Sequence, residues 1–250
     1  MPKRVRGRID EVYSKRMERV PDFKFDPVVA EAFDDMVVRS VPFYAEVQRM
    51  IGDLAARFVQ QRTNVYDLGC ATGTTLCVLS KVIPGKTVRF YGLDNSSAMI
   101  RQAKRKVAEL DDGRITFMLR DISAPLRLIN PSVIIMAFTL QFLKPLARRA
   151  LVESIHDSLR PNGCLVLAEK VLGTDSLMNR LMADFHATFK MRNQYSRLEI
   201  AQKRQALENV LIPCRLADNV HLLRECGFPI VEVFFKWFNF AGLIAVKARA

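Results

Sequence analysis

The stretch Val65-Tyr66-Asp67-Leu68-Gly69-Cys70-Ala71-Thr72-Gly73 constrains the fold more than any other part of the chain. An apolar run ends in an acid, turns through small residues, and enters the helix-compatible Leu76-Cys77-Val78-Leu79. Such a turn lets backbone N–H groups approach a ligand closely, and an acid at the strand end can grip a cationic or hydroxylated part of it. The spacing is not the dinucleotide form G-x-G-x-x-G, because Ala71 stands at its second glycine and the next is Gly73. Strands and helices alternate from Val65 to Ala168. Residues 88–95, 115–122, 132–137 and 164–168 read as further strands, with Pro161-Asn162-Gly163 turning into the last. Near-continuous apolar strands separated by helices predict an α/β fold, a mostly parallel doubly wound sheet covered on both faces. Two strong strands at 230–238 and 240–247, tightly joined, predict a C-terminal antiparallel hairpin that closes it.

The acids fall in a telling order. D-x-G-x-x-x-G resembles the first nucleotide-binding motif of S-adenosylmethionine (SAM) proteins. Asp94 ends the second strand, roughly 25 residues past Gly69, where α/β nucleotide folds place the acid that holds both ribose hydroxyls. Asp121-Ile122 follows the third strand, where such folds would accept from the adenine amino group and pack on its ring. The bland alternative is that both acids only cap the helices that follow.

At 250 residues and 50% hydrophobic, the chain can bury a full core. It reads as a basic arm, 1–25, flexible or loosely docked, followed by a single SAM-binding domain, 26–250, with a helical insertion at about 177–226. The segment from Tyr44 carries Val47, Ile51, Leu54, Ala55 and Phe58 as an amphipathic stripe. No apolar run reaches the roughly 18 residues needed to span a bilayer. Five cysteines, odd in number and without a CxxC pair, argue against zinc and disulfides and for a reducing cytoplasm. The three histidines lack metal-ligand spacing and receive no role. The formal charge of +12 is dispersed. Arg101, Lys104, Arg105 and Lys106, and Arg148 with Arg149, read as solvated helix faces, and no aromatic-interleaved basic ribbon appears. Specific nucleic-acid binding is not expected; the charge steers anions.

Ser196-Arg197-Leu198-Glu199 fits a capping box, and the following helix carries Ile200, Arg204, Leu207 and Leu211 at stripe spacing. Arg204 is thereby expected inward, paired either with a core acid such as Asp184 or with an anionic ligand, and Lys203 outward.

Beyond the generic fold, Arg39-Ser40-Val41-Pro42-x-Tyr44, Asp94-Asn95-Ser96, Phe138-Thr139-Leu140-Gln141-Phe142-Leu143, Tyr195-Ser196-x-Leu198-Glu199-Ile200, Gln202-Lys203-Arg204 and Phe238-Asn239-Phe240 resemble the carboxy-S-adenosyl-L-methionine synthases. The resemblance runs from about Phe25 to Lys247. It implies carboxylation of SAM at its methyl carbon, with prephenate as carboxyl donor and phenylpyruvate released. It further implies a homodimer, copurification of carboxy-SAM, and delivery of the product to a tRNA-modifying carboxymethyl transferase acting on the wobble uridine. By matched position, Gly69, Cys70 and Ala71 would line the methionine and ribose region, Asp94 the ribose, Asn95 the adenosine, and Asp121 and Ile122 the adenine. Tyr44 and Arg204 would meet the added carboxyl group. One position departs: a ligand-contacting Asn of the family aligns with Ala137. Two other functions stay open, an ordinary SAM-dependent methyltransferase and a non-catalytic SAM-binding tRNA-accessory protein.

Overall fold

The computed structural model describes residues 8–85 and 87–249. Two helices, α1 (Pro27–Ser40) and α2 (Tyr44–Phe58), lead into the alternating part of the chain. There β1 (Asn64–Leu68), α3 (Thr74–Val82), β2 (Arg89–Asp94), α4 (Ser97–Ala108), β3 (Ile115–Leu119), β4 (Pro131–Ala137), α5 (Pro145–Ser158) and β5 (Cys164–Leu172) follow in turn. The remainder is α6 (Ser176–Arg192), α7 (Arg197–Leu207), β6 (Cys214–Arg215), α8 (Leu216–Glu225), β7 (Ile230–Trp237) and β8 (Phe240–Val246).

The sheet order is β3-β2-β1-β4-β5-β8-β7. The first five strands pair in parallel, whereas β8 runs antiparallel to both β5 and β7, as the hairpin reading required. The two-residue β6, which pairs with β5 inside the helical insertion, was not expected. Period-two alternation sorts each central strand between two cores. Tyr66, Leu68, Ile134, Met136, Leu165 and Leu167 face α5 and α8, while Val65, Val133, Ile135 and Val166 face α2 and α3. Burial on both faces is why these strands read as continuous apolar runs.

Strand order reverses between β1 and β4, and in open α/β sheets the crevice at the carboxyl ends of the strands beside such a reversal binds ligands. Gly69, Asp94, Asp121 and Ala137 all lie at those ends.

The described part of the N-terminal arm is docked, not loose. Tyr13 and Phe23 are buried in a third core with Met36, Met99 and Ala206. The Gln202 side chain donates to the carbonyls of Tyr13 and Lys15 and accepts from the Met17 N–H. The Phe23 N–H donates to the Ala206 carbonyl. The arm segment 1–7 lies outside the described residues. Two charged stretches also differ from expectation. Arg148 is buried, donating to the carbonyls of Leu143 and Ile212 and to the Cys214 sulfur. Lys106 is pinned to Asp34, Thr72 and Thr74. Among the described residues no helix is long and apolar enough to cross a membrane, no group of His, Cys, Asp or Glu could hold a metal, and all five cysteines are free.

Candidate active site

A cavity of about 770 Å³ opens at the carboxyl ends of the parallel strands. It falls in the upper part of the roughly 300–1,000 Å³ range of small-molecule sites, which gives room for a nucleoside and a second small molecule. Gly69, Cys70, Ala71, Asp94, Asn95, Asp121, Ile122, Ala137 and Tyr44 all line it.

The turn after β1 is held by backbone geometry. Gly69 has φ +75°, Ala71 φ +45° and Gly73 φ +76°, and the N–H groups of Gly69 and Cys70 both donate to the Leu93 carbonyl. A Cβ at Gly69 would fall 2.3 Å from the Thr139 methyl carbon, so only glycine brings this backbone to the cavity wall. Gly69→Ala is therefore expected to lower Tm and SAM affinity together. Thermal unfolding and isothermal titration check this; wild-type values in both would remove the turn from the site.

Asp94 accepts the Ala71 N–H at 2.9 Å and the Ser96 N–H at 2.8 Å, one on each carboxylate oxygen. An ionised carboxylate has about four lone-pair sites, so both oxygens keep capacity for ligand hydroxyls. Burial raises its pKa, opposed by those N–H groups. Asp121 is exposed at the mouth and bonded by the Ser123 N–H and hydroxyl, which hold its carboxyl low, and Ile122 is buried beside it. The capping alternative fails for Asp94, because Ser96 is the N-cap of α4. Asp67, at the end of β1, is 1% exposed and absent from the cavity wall, with one oxygen unpartnered. Burial, with the Asp94 charge as a lesser cause, pushes it up to about 7.

Farther along, Tyr44 opens α2 just after Phe43, which sits at φ +53°. Burial, then the charges of Asp34 and Asp67, pushes the Tyr44 phenol well above its usual range, so at neutral pH it is a hydrogen-bond donor. Gln48, one turn on, lines the same wall, and its buried carbonyl oxygen is without a hydrogen-bond partner. At Ala137 the wall has no side-chain polar group; on that segment the polar lining comes from Thr139 and Gln141. Their loop is fixed by Glu169, which accepts from the N–H groups of Thr139, Leu140 and Gln141.

Arg204 corrects the sequence reading. It is exposed, lies off the cavity wall, and makes neither ion pair nor hydrogen bond among the described residues; Asp184 is exposed as well. The buried face of α7 carries Gln202, Lys203 and Ala206 instead, because the docked arm supplies partners for polar side chains there. Lys203 is 6% exposed, faces the cavity, and meets Asp10 at 3.5 Å and the Ser40 hydroxyl at 3.1 Å. His186, given no role by the sequence, also lines the cavity, with Nε2 bonded to the Ser40 carbonyl at 2.8 Å. Lys170 and Lys190 line it too. The signal for Lys170 was present, since Glu169-Lys170 places charge at the end of an apolar strand just as Asp67 and Asp94 do.

Comparison with known proteins decides the family. The chain is 48% identical to the carboxy-S-adenosyl-L-methionine synthase of Methylococcus capsulatus over 239 residues, 95% of this chain and 99% of that protein. It belongs to the carboxy-S-adenosyl-L-methionine synthase family. The synthase of Aliivibrio salmonicida is 40% identical over 95% of this chain and 98% of its own length. Residues 65–163 match the methyltransferase domain family. The fold is shared with an O-methyltransferase family protein from Burkholderia thailandensis, at a TM-score of 0.69 and 17% identity over 90% of this chain and 61% of that one. A SAM-dependent methyltransferase from Methanococcus maripaludis gives a TM-score of 0.61 at 18% identity over 94% and 99%. The class is therefore that of the SAM-dependent methyltransferases, and the glycine turn, the Asp94 carboxylate and the orphaned Gln48 acceptor fit SAM.

Proposed function

We propose that this enzyme carboxylates SAM on its methyl carbon, taking the carboxyl group from prephenate and releasing phenylpyruvate. The observation that carries the reading is family membership over nearly the whole chain. It is supported by a cavity wall that carries Lys144, Lys170, Lys190 and Lys203, a concentration of basic groups that transfer of a methyl group does not need.

SAM supplies a sulfonium that acidifies its attached methyl group. The chain's residues place that group. Asp94 holds the ribose, Ile122 packs on the adenine, the turn at 69–71 fixes the backbone side, and Gln48 accepts from the ammonium. In the overall balance, prephenate loses its ring carboxyl as CO₂ and its ring hydroxyl as hydroxide as the ring becomes aromatic. Hydroxide and the methyl proton leave as water, and the carbon gains a carboxylate. No side-chain base is required. The Tyr44 phenol donates to the new carboxylate, a charge-assisted bond strengthened where water is excluded.

Arg204 enters this reading only across an interface. Its exposure leaves it free to reach a second copy, and α6 presents Leu177, Met178, Leu181 and Phe185 to solvent. A homodimer built on that face is part of the proposal, as are a cytoplasmic setting and supply of carboxy-SAM to wobble-uridine modification of tRNA. Mass analysis of the nucleotide carried by the purified protein tests the reading. Carboxy-SAM is expected; SAM or its demethylated product alone would favour an ordinary methyltransferase.

A further inference from the structure

Lys170 and Lys190 are two lysines that the fold brings to the cavity wall. Lys170 lies on β5 opposite Phe240 of β8, and Lys190 lies on α6 one turn beyond His186. Neither has a carboxylate partner among the described residues, whereas Lys203, also on the cavity wall, has Asp10. Glu169, next to Lys170, is committed to three backbone N–H groups. Burial and then the charges of Lys203, Lys170 and Arg204 lower Lys190 to about 7, so these cations feel one another. Burial first, and the neighbouring lysines after it, take His186 down to about 3, which leaves it neutral. Burying like charges together is unfavourable, and a ligand with a sulfonium adds to the repulsion. A bound anion offsets that repulsion and favours the charged form of both lysines.

An aromatic row runs to the same place. Tyr44 and Phe138 have ring centroids 6.4 Å apart, Phe138 and Phe240 6.1 Å, and Phe240 and His186 4.9 Å. An aromatic wall beside two lysines suits a cyclic carboxylate with more than one negative charge. We propose that Lys170 and Lys190 form the binding end for the dianionic carboxyl donor and hold it against the methyl carbon of the nucleotide. This rests on the function proposed above and names the residues that read its second substrate.

The test uses the full-length protein with SAM and prephenate as probes, in the variants Lys170→Met, Lys190→Met and Lys190→Arg. The Met variants are expected to raise the KM for prephenate at least tenfold while changing the Kd for SAM less than twofold, and Lys190→Arg recovers most of the loss. An unchanged KM in a folded Met variant overturns the proposal. So does an equal loss of SAM affinity, because the lysines would then read the nucleotide's own carboxylate. If the Met variants do not fold, acetylation of wild-type lysines mapped by mass decides: prephenate protects Lys170 and Lys190, and absence of protection overturns the assignment. Wild-type protein that makes no carboxy-SAM while prephenate still protects both lysines refutes the proposed function and leaves this site standing.

Discussion

Replacing Asp94 with Ala lowers SAM affinity by about 10- to 150-fold, the equivalent of about 1.5–3 kcal/mol for a hydrogen bond to a charged group. The reason is positional. Two backbone N–H groups, from Ala71 and Ser96, hold the carboxylate at the cavity wall, so its free lone pairs are in place for the ribose hydroxyls that the proposed function assigns to it. The same deletion strips the Ala71 N–H of its acceptor and loosens the turn that carries Gly69. Isothermal titration with SAM, with circular dichroism to show an intact fold, measures the effect. A folded variant with wild-type affinity would remove Asp94 from the site.

Asp10→Ala is expected to cost about 3–5 kcal/mol of stability, the usual penalty for breaking a buried ion pair by removing one partner. At roughly 2–4 °C per kcal/mol for a chain of this size, Tm falls by about 6–20 °C. Asp10 is 2% exposed, and its carboxylate accepts from the Tyr195 hydroxyl and faces Lys203. Its backbone is held by Asp35 and Arg39, whose guanidinium stacks 3.9 Å over the Tyr195 ring. Asp10→Asn keeps a hydrogen-bond acceptor and should recover part of the loss. Thermal unfolding of the two variants checks the order; an unchanged Tm in Asp10→Ala would mean that the arm does not secure α7. Truncating the arm through residue 25 removes this contact together with Phe23 and Phe25 of the cavity wall, so turnover should fail as well.

The parallel sheet was legible because its strands are buried on both faces, which forces apolar runs, and because strand-end acids and glycines mark the ligand side. Asp94, Asp121 and the 69–71 turn were found by that logic and all reach the cavity. Arg204 was misplaced because the stripe Ile200, Arg204, Leu207, Leu211 assumed a helix packed on an apolar partner. α7 ends at Leu207, so Leu211 is not on it, and the arm covers a face of polar side chains whose partners are backbone groups far away in sequence. Periodicity reports hydrophobic burial and says nothing of polar burial satisfied by a distant segment. The lysines at the cavity end were missed for a related reason. They lie on three separate elements, β5, α6 and α7, and only the fold brings them to one cavity.

The central claim is tested most directly by incubating the purified enzyme with SAM and prephenate carrying ¹³C in its ring carboxyl, followed by mass analysis. The account predicts one labelled carbon in a carboxylated nucleotide and an equal amount of phenylpyruvate, with no product when either substrate is withheld. Unlabelled SAM recovered beside intact prephenate, or a methyl group transferred to an added acceptor, would contradict it.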